Sequence, residues 1–421
     1  MCSHSDNPHV LCPHCDLLVA LPPLEYGQKA TCPRCKSLLT ARWQEPRKRP
    51  VGYALSALFM LLLANMFPFV NMNVKGLSSE VTLIQIPQVL VDDNYASIAS
   101  LFMVVVQLIP AFCMLAIILL CAPVRLPGRW NNRIGWVLFH LKAWCMVEIF
   151  LAGVLVSFVK LIAYGEVGIG TSFIPYVLFC LLQVRAFQCT DRFWLWRQVA
   201  PAPAVGQPLR VGQSGLSQGL RSCQCCMAIL PVQQHICPRC SSKGYARKQH
   251  SLQWTMALLI TSLMLYIPAN MLPIMITQAL GTKITSTIMA GVVLLWSEGS
   301  YPVAMVIFVA SIMVPSLKML AIAWLCWDAR GQKKVDRERL HVVYEVVEFV
   351  GRWSMIDVFV IAVLSALVRM GQLMSIYPDI GALLFALVVI LTMFSAITFD
   401  SRLIWDRSGT FASRELRDDG K

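Results

Sequence analysis

The sequence has few charged residues for its length. Only 14% of its 421 residues are Asp, Glu, Lys or Arg, whereas a soluble domain carries about 25%. Hydrophobic residues make up 57% of the chain, and apolar runs of about 20 residues, enough to cross a hydrocarbon core, recur between Val51 and Asp400. This composition excludes an ordinary soluble protein and predicts an all-α polytopic membrane protein.

Motifs of common enzymes are also absent. The chain has no Gly-rich phosphate-binding loop with its lysine, no HExxH motif, and no recognisable set of nucleophile, base and acid in its soluble parts. We therefore expect a protein that is not an enzyme. The net charge of +13 would suit nucleic acid in a soluble protein, but the basic residues crowd beside the apolar runs, so no nucleic-acid partner is expected.

The apolar runs and their basic flanks predict a membrane topology. Basic residues at 47–49, before the first run, and at 247–248, before the fifth, belong on the cytoplasmic side. The alternate loops 76–94 and 165–172 contain no Lys or Arg and should face outward, so both termini are predicted to be cytoplasmic. Eight spans are expected at about 52–72, 99–122, 136–163, 173–189, 253–276, 302–325, 343–369 and 381–399.

The chain contains an internal repeat. Asn65-Met66-Phe67-Pro68 returns as Asn270-Met271-Leu272-Pro273, and Glu148 of the third span matches Asp357 of the seventh. An even number of spans in each copy places both copies the same way up, unlike the inverted repeats of many transporters. The predicted fold is therefore two tandem four-transmembrane-helix units in parallel repeat, each preceded by a small cytoplasmic Cys₄ zinc ribbon.

These observations divide the chain into six parts. They are an N-terminal zinc ribbon (1–50), a first four-helix transmembrane unit (51–199), a polar linker (200–222), a second zinc ribbon (223–250), a second four-helix transmembrane unit (251–406) and a polar C-terminal tail (407–421).

Half of the 16 cysteines form CxxC pairs with the spacing of metal ligands, namely Cys12, Cys15, Cys32, Cys35, Cys223, Cys226, Cys237 and Cys240. Each pair points two thiolates at one ion, and two pairs complete a tetrahedral Cys₄ site that has no open position for a substrate. We predict two structural zinc sites, with a single iron or a dithiol redox pair as alternatives. Cys225 is an additional thiol in the second cluster, where the spacing favours the outer pair as ligands.

Two ionisable residues of the second half fall at membrane depth, where charge costs a few kcal/mol. Lys318 lies in the sixth span and Asp357 in the seventh, both toward the cytoplasmic side, and the hydroxyls of Ser311, Ser354 and Thr392 can converge on them. One hypothesis is an ion pair that only locks helices together. The other is a transport switch in which Asp357 gains and loses a proton against Lys318.

The first half differs from the second at these positions. Glu148 keeps the acid as a secondary intramembrane carboxylate, but Cys113, Val106 and Gln183 stand where the second half has its lysine, its first serine and its threonine. A purely structural pair has no obvious reason to persist in one half only. The second half is therefore predicted to be the specialised one.

The paired Cys₄ ribbons, the two Asn-Met-x-Pro elements, residues 351–359 and the later Asp400-Ser401-Arg402-Leu403 resemble the paraquat-inducible protein A family, essentially end to end. The resemblance implies a bacterial inner-membrane component of an intermembrane phospholipid transport system that contributes to envelope integrity and stress resistance. It implies a periplasmic MCE-domain tunnel protein as partner and, through it, an outer-membrane lipoprotein. The resemblance implies that the ribbon cysteines and the polar residues Ser311, Lys318, Ser354, Asp357 and Thr392 are motif residues of the family.

Two other functions remain open on sequence alone. A metal- or redox-sensing membrane scaffold would depend on the ribbons and tolerate loss of Asp357. A proton-coupled small-molecule efflux protein would transport without any periplasmic partner.

Overall fold

The computed structural model describes residues 8–74, 77–122, 128–161, 166–279, 282–297, 299, 301–329, 337–368 and 374–406. The predicted tail 407–421 lies outside this part of the chain. Among the described residues, seven helices are long and apolar enough to cross a membrane, and eight if the pair Phe173–Cys189 and Arg192–Val199, bent by 66°, counts as one span. The fold is thus mostly helical, as expected for a polytopic membrane protein.

The first ribbon consists of two antiparallel hairpins, β1 (His9–Leu11) with β2 (Leu18–Ala20) and β3 (Lys29–Thr31) with β4 (Leu38–Ala41). The first membrane unit then contains α1 (Lys48–Met66), β5 (Val70–Val74), β6 (Leu77–Val81), α2 (Gln85–Asp92), α3 (Ala96–Phe102), a π-helical segment (Met103–Leu108), α4 (Ile109–Cys121), α5 (Gly128–Leu141), a 3-10 turn (Lys142–Trp144), α6 (Val147–Leu161), β7 (Glu166–Ile169), α7 (Phe173–Cys189) and α8 (Arg192–Val199).

The second ribbon contains a 3-10 turn (Leu216–Gln218) and one hairpin, β8 (Leu220–Ser222) with β9 (Ile229–Pro231). The second membrane unit contains α9 (Ser251–Met271), β10 (Met275–Ala279), β11 (Thr282–Ser286), α10 (Ile288–Ser297), α11 (Tyr301–Phe308), a π-helical segment (Val309–Met313), α12 (Val314–Ala329), α13 (Arg337–Trp353), α14 (Ile356–Leu367), β12 (Met374–Pro378), α15 (Ile380–Thr398) and a 3-10 turn (Ser401–Ile404).

Each membrane unit carries a three-stranded antiparallel sheet, with β5 between β6 and β7 and β10 between β11 and β12. Pro68 and Pro273 keep the residue before them out of the helical conformation, so the chain leaves α1 and α9 and soon enters a strand. The first and fifth spans therefore end at Met66 and Met271, several residues before the predicted boundaries.

Proline also alters the second and sixth spans. Pro110 and Pro315 have no N–H, so the carbonyl four residues earlier loses its helical hydrogen bond. Those carbonyls belong to Val106 and Ser311, and both residues lie within the π-helical segments. Short π-helical segments inside α-helices frequently mark functional sites, and Ser311 lies in one.

The third and seventh spans are broken where their acids lie. The helix is interrupted just before α6 and again just before α14, and Glu148 and Asp357 lie in the first turns of these two helices. The N-terminal end of a helix carries a partial positive charge that favours a carboxylate. The breaks therefore place each of these half-buried acids where its charge costs least.

The two membrane units meet along α6 and α14. The ring of Phe359 lies 6.2 Å from that of Phe102 and 5.8 Å from that of Phe150, measured between centroids. A Cβ atom at Gly153 would lie 3.2 Å from the Phe359 Cβ atom, so glycine allows this close approach. The largest hydrophobic core consequently spans both units.

The first ribbon lies against the second membrane unit. The Ser401 hydroxyl donates to the carbonyl of His14 at 3.4 Å, and the Arg34 guanidinium lies 4.6 Å above the centre of the Trp405 ring. Cys12, Cys15 and Cys32 share one hydrophobic cluster with residues of α12, α13 and α15. The N-terminal ribbon thus covers the cytoplasmic end, in the predicted orientation, of the unit that is further along the chain.

The second ribbon makes the reciprocal contact. The Arg192 side chain of α8 donates to the carbonyl of Cys225 at 2.7 Å, and the Asn132 side chain of α5 donates to the carbonyl of Arg239 at 3.0 Å. Trp196 is buried among the cysteines of this ribbon. Each ribbon therefore contacts the membrane unit of the other half, and β4 of the first ribbon also contacts Asp191 of the first unit.

A carboxylate, half-buried in Asp191 and buried in Asp400, ties each unit to the segment that enters it. Asp191 accepts from the backbone N–H of Ala41 at 2.8 Å. Asp400 accepts from the N–H of Lys248 at 3.0 Å and forms a two-pronged pair with Arg402 at 2.7 and 2.8 Å. Burial alone would raise the pKa of Asp400, but Arg402 and these hydrogen bonds hold it at about 2.

Part of the segment predicted as a linker, 200–222, packs on the first ribbon. Leu18 donates to the carbonyl of Gln213 and accepts from the N–H of Gly212, both at 2.9 Å. The Asp16 carboxylate accepts from the N–H of Leu216 at 3.0 Å. The segment also contributes β8 to the second ribbon, so it joins the two ribbons.

Candidate functional site

All four CxxC pairs adopt the same turn. The residues that directly follow them, Asp16, Lys36, Met227 and Ser241, have positive φ angles of 58–60°, which are uncommon outside glycine. The N–H of each one donates to the carbonyl of the first cysteine of its pair at 2.8–3.0 Å. Each pair thereby forms a tight knuckle that directs two thiols to the same side.

The thiols of these knuckles converge into two groups of four, one formed by Cys12, Cys15, Cys32 and Cys35 and the other by Cys223, Cys226, Cys237 and Cys240. Within each group the sulfur atoms lie within 4.8 Å of one another. Tetrahedral metal–sulfur bonds of about 2.3 Å separate sulfurs by roughly 3.8 Å. The closest pairs, at 3.4–3.5 Å, fit a single ion in each group.

Charge and hydrogen bonding also favour a cation. Neighbouring cysteines and burial raise the pKa of Cys15 and Cys226 far above the ordinary thiol value, because several thiolates cannot coexist at this distance without a counter-charge. Ser37 Oγ lies 3.0 Å from Cys35 Sγ, and Ser242 Oγ lies 2.9 Å from Cys240 Sγ. These hydroxyls can donate to the outer lone pairs of metal-bound thiolates.

Two other residues of the knuckles lie outside the thiol groups. Cys225 is buried, but the group of four sulfurs contains Cys223 and Cys226, the pair that the spacing favours. The His14 ring packs against His341 of α13 at 5.8 Å between centroids. Both residues therefore serve the contact between ribbon and membrane unit.

The second membrane unit encloses a cavity of about 130 Å³ between its sheet and its helices. Met275 and Thr277 of β10 line one end, Ile361 and Phe385 line the wall, and Ser311 and Asp357 line the end within the membrane helices. The surface is mainly apolar with a few polar groups, which is typical of sites for small organic ligands.

The remaining predicted residues lie on the same helices. Lys318 is buried and donates to the Thr392 hydroxyl at 3.0 Å and to the Gly351 carbonyl at 3.4 Å. Ser354, in the break between α13 and α14, is buried and donates to the carbonyl of Val350 in α13 at 3.4 Å. The structure thus brings Lys318 to Thr392 and places Ser311 with Asp357 in the cavity, while a direct pair of Lys318 and Asp357 stays a prediction.

Larger side chains occupy the equivalent region of the first unit. Repeat alignment matches Phe69, Phe102 and Tyr176 with the cavity residues Ile274, Ile307 and Phe385. The Phe69 and Tyr176 rings lie 5.5 Å apart between centroids. All three aromatic side chains are buried, so packed rings fill the region where the second unit has its cavity.

In the first unit, the position that corresponds to Lys318 is occupied by the uncharged residue Cys113. Gln183, which corresponds to Thr392, donates to the Cys145 sulfur at 3.1 Å, and Cys145 in turn contacts Cys113. Glu148 lies close enough to Tyr176 for their charges to interact. Amide and thiol contacts therefore take the place of the Lys318–Thr392 hydrogen bond.

Sequence reasoning missed the two sheets, the short helices α2 and α10, and the cavity. β-Branched residues in β10 and β11, such as Ile276, Thr277 and Thr285, offered a weak strand signal. The Gly351 carbonyl that accepts from Lys318 has no signal in the sequence, since every residue has a carbonyl.

Comparisons with known proteins agree with this architecture. The sequence profile of the family described as "Paraquat-inducible protein A" matches residues 48–200 and 252–409. No solved structure matches the chain. The two matched ranges correspond to the two membrane units and leave out the ribbons.

Curated relatives match nearly the whole chain. The "Intermembrane transport protein PqiA" of Escherichia coli is 67% identical over 408 residues, which cover 97% of this chain and 98% of the relative. "Lipophilic envelope-spanning tunnel protein A" of the same species is 29% identical and covers 94% and 90%. A "Probable intermembrane transport protein" of Haemophilus influenzae is 29% identical and covers 94% and 95%.

Proposed function

The chain belongs to the paraquat-inducible protein A family, and we propose that it passes phospholipid between the bacterial inner membrane and a periplasmic MCE-domain tunnel protein. The observation that carries this proposal is the cavity of the second unit. Its apolar wall suits an acyl chain, and its inner end offers the polar groups of Ser311 and Asp357. The 67% identical relative is named as an intermembrane transport protein, not as an enzyme.

The second unit is the transporting one in this proposal. Both units share one order of elements, which supports a parallel repeat from a fused ancestral dimer. Among the described residues, the second unit combines the cavity with the buried side chain of Lys318. The first, with its packed aromatic rings, supports α14 through the contact of Phe359 with Phe102 and Phe150.

Lys318 and Asp357 couple lipid binding to helix position. A buried ammonium that donates to Thr392 and Gly351 ties α12 to α15 and α13, and a change in the charge of Asp357 at the start of α14 shifts this network. The simpler role of a fixed helix clamp predicts that neutral substitutions affect stability but not lipid movement.

Each ribbon holds one zinc ion, by Cys12, Cys15, Cys32 and Cys35 in the first and by Cys223, Cys226, Cys237 and Cys240 in the second. Zinc fits a closed set of four thiolates better than harder metals, although iron accepts the same donors. Its contribution is to fold the ribbon. The ribbons then brace the cytoplasmic ends of the helices.

The orientation in the inner membrane follows from the basic flanks. With both termini and both ribbons in the cytoplasm, the two three-stranded sheets face the periplasm. The cavity begins at β10 of the second sheet, so an MCE-domain partner seated there could exchange lipid with it, and could reach an outer-membrane lipoprotein at its other end.

Photocrosslinking in cells tests the proposal. A benzophenone side chain at Phe385, which lines the cavity, should capture phospholipid, whereas the same group at the equivalent Tyr176 should not. Asp357→Asn and Lys318→Met should change the amount captured at Phe385. Absence of lipid at Phe385 in the otherwise unchanged protein, with normal folding, would contradict the proposed function.

A further inference from the structure

The cavity is separated from the surroundings by a thin wall made of α10 and α11. Leu294 and Ile307 face the cavity, whereas Val293 and Met305 line a second, outer pocket on the other side of the same two helices. This outer groove has a volume of about 340 Å³ and an entirely apolar lining. One layer of side chains therefore stands between cavity and groove.

The wall is held by a small cluster of its own. Val292, Ala304 and Ile307 are buried together, with Leu295 and Phe308 packed against them, and only Ile288 at the start of α10 joins the large core from the described residues of the wall. Segments with few buried apolar contacts open at lower free energy than the core. In the first unit the counterpart helix α2 buries residues such as Leu90 in the large core.

The outer side of the wall is suited to lipid. Met289, Val293 and Trp296 of α10 are 50–60% exposed, and α10, with ten residues, is too short to cross a bilayer, which is typical of re-entrant or interfacial helices. The Trp296 and Tyr301 rings pack 5.0 Å apart between centroids, and Trp and Tyr favour the membrane–water interface. The adjoining helix α11 leads directly into a membrane span.

We infer that the groove between α10 and α11 binds an acyl chain of a bilayer phospholipid and that lipid enters the cavity sideways when the Val292–Ala304–Ile307 seal opens. A groove without polar lining at this depth fits a hydrocarbon chain, because a peptide or headgroup would leave hydrogen-bonding groups unsatisfied. The inference rests on the proposed function, since it adds the route by which the cavity is filled.

The test blocks the groove without touching the cavity. Val293→Trp fills the groove from an exposed position, and Leu263→Trp, on the exposed face of α9, is the matched control. A Val292→Cys/Ala304→Cys pair, if oxidised, locks the seal and can be released with a reductant. In each background, phospholipid capture is measured with benzophenone at Phe385.

Loss of capture with Val293→Trp and with the oxidised pair, normal capture with Leu263→Trp, and recovery after reduction would support lateral entry. Should the oxidised pair not form, Val293→Trp decides alone. Undiminished capture in Val293→Trp, when Gly291→Phe inside the cavity abolishes it, would overturn lateral entry and leave the transport function intact. No capture at Phe385 even without these substitutions would overturn both.

Discussion

Gly291→Phe should close the lipid cavity without harming the fold. Gly291 lies on α10 and lines the cavity, and a Cβ atom built there has no other atom within 4 Å. Glycine inside a helix is about 1 kcal/mol less favourable than alanine, and phenylalanine only about half as unfavourable. The substitution should therefore leave the free energy of unfolding unchanged or slightly raised.

The effect on lipid can be worked out from burial. A phenylalanine ring that fills the apolar cavity gains about 1.5–3 kcal/mol, which a lipid chain would have to displace, so occupancy should fall by a factor of roughly 10–150.

The assay is phospholipid capture by benzophenone at Phe385, combined with thermal unfolding of the purified protein. Gly52→Phe is the matched control, because Gly52 lies on an exposed face of α1 with open space around its Cβ position. Gly291→Ala should behave nearly as the unchanged protein. A stable Gly291→Phe variant that captures as much phospholipid as the control would refute the cavity as the lipid site.

Three further predictions test the polar set, the buried carboxylate and the ribbons. Thr392→Val removes a hydrogen bond from the buried ammonium of Lys318, worth about 1.5–3 kcal/mol, and should reduce lipid capture in cells. The control substitution Gln183→Val in the first unit should leave capture unchanged. Equal effects of the two substitutions would argue against a specialised second unit. Asp400→Asn should cost about 3–5 kcal/mol in unfolding measurements because it leaves Arg402 buried without its partner. The pKa of Asp400 is lowered from 3.8 to about 2, so its contribution to the free energy of unfolding is complete above pH 3.8 and is lost as the pH falls through about 2. Unfolding measured as a function of pH should show this loss in the unchanged protein and not in Asp400→Asn. Cys12→Ser should halve the metal content measured by mass spectrometry and destabilise the second unit, on which this ribbon lies, as read by proteolysis of its loops; a response confined to the first unit would contradict the contact of this ribbon with the second unit.

The apolar helices and the two groups of four cysteines could be predicted because their signals are local. An apolar run of sufficient length indicates a membrane span without reference to the rest of the chain. A CxxC pair such as Cys237 and Cys240 forms its turn within a few residues, and the only special requirement is the positive φ angle of Ser241. The ends of α1 and α9 were misplaced because apolar residues, Phe69 and Val70 in one case and Ile274 to Ile276 in the other, continue the run after Pro68 and Pro273 into β5 and β10. Hydropathy does not distinguish a buried strand from the end of a helix.

The cavity could not be predicted because it depends on differences between residues far apart in the chain. Ile307 in place of Phe102 is unremarkable on its own, and it creates space only because Ile274 replaces Phe69 nearby. Likewise, the partners of Lys318 come from α13 and α15. Sequence identified the hydroxyl of Thr392 but had no means of identifying the Gly351 carbonyl.

The contact of each ribbon with the membrane unit of the other half explains why two unequal units remain in one chain. If each ribbon braced its own unit, the first unit, whose cavity is filled by Phe69, Phe102 and Tyr176, could be lost without consequence for the second. Instead, the ribbon that covers the second unit precedes the first unit in the chain. In addition, Phe359 of the second unit packs on Phe102 of the first unit. Each unit thus depends on the other for cytoplasmic cover and for the packing of its broken helix. Removal of the first unit would therefore expose the face of α14 that packs on Phe102 and Phe150.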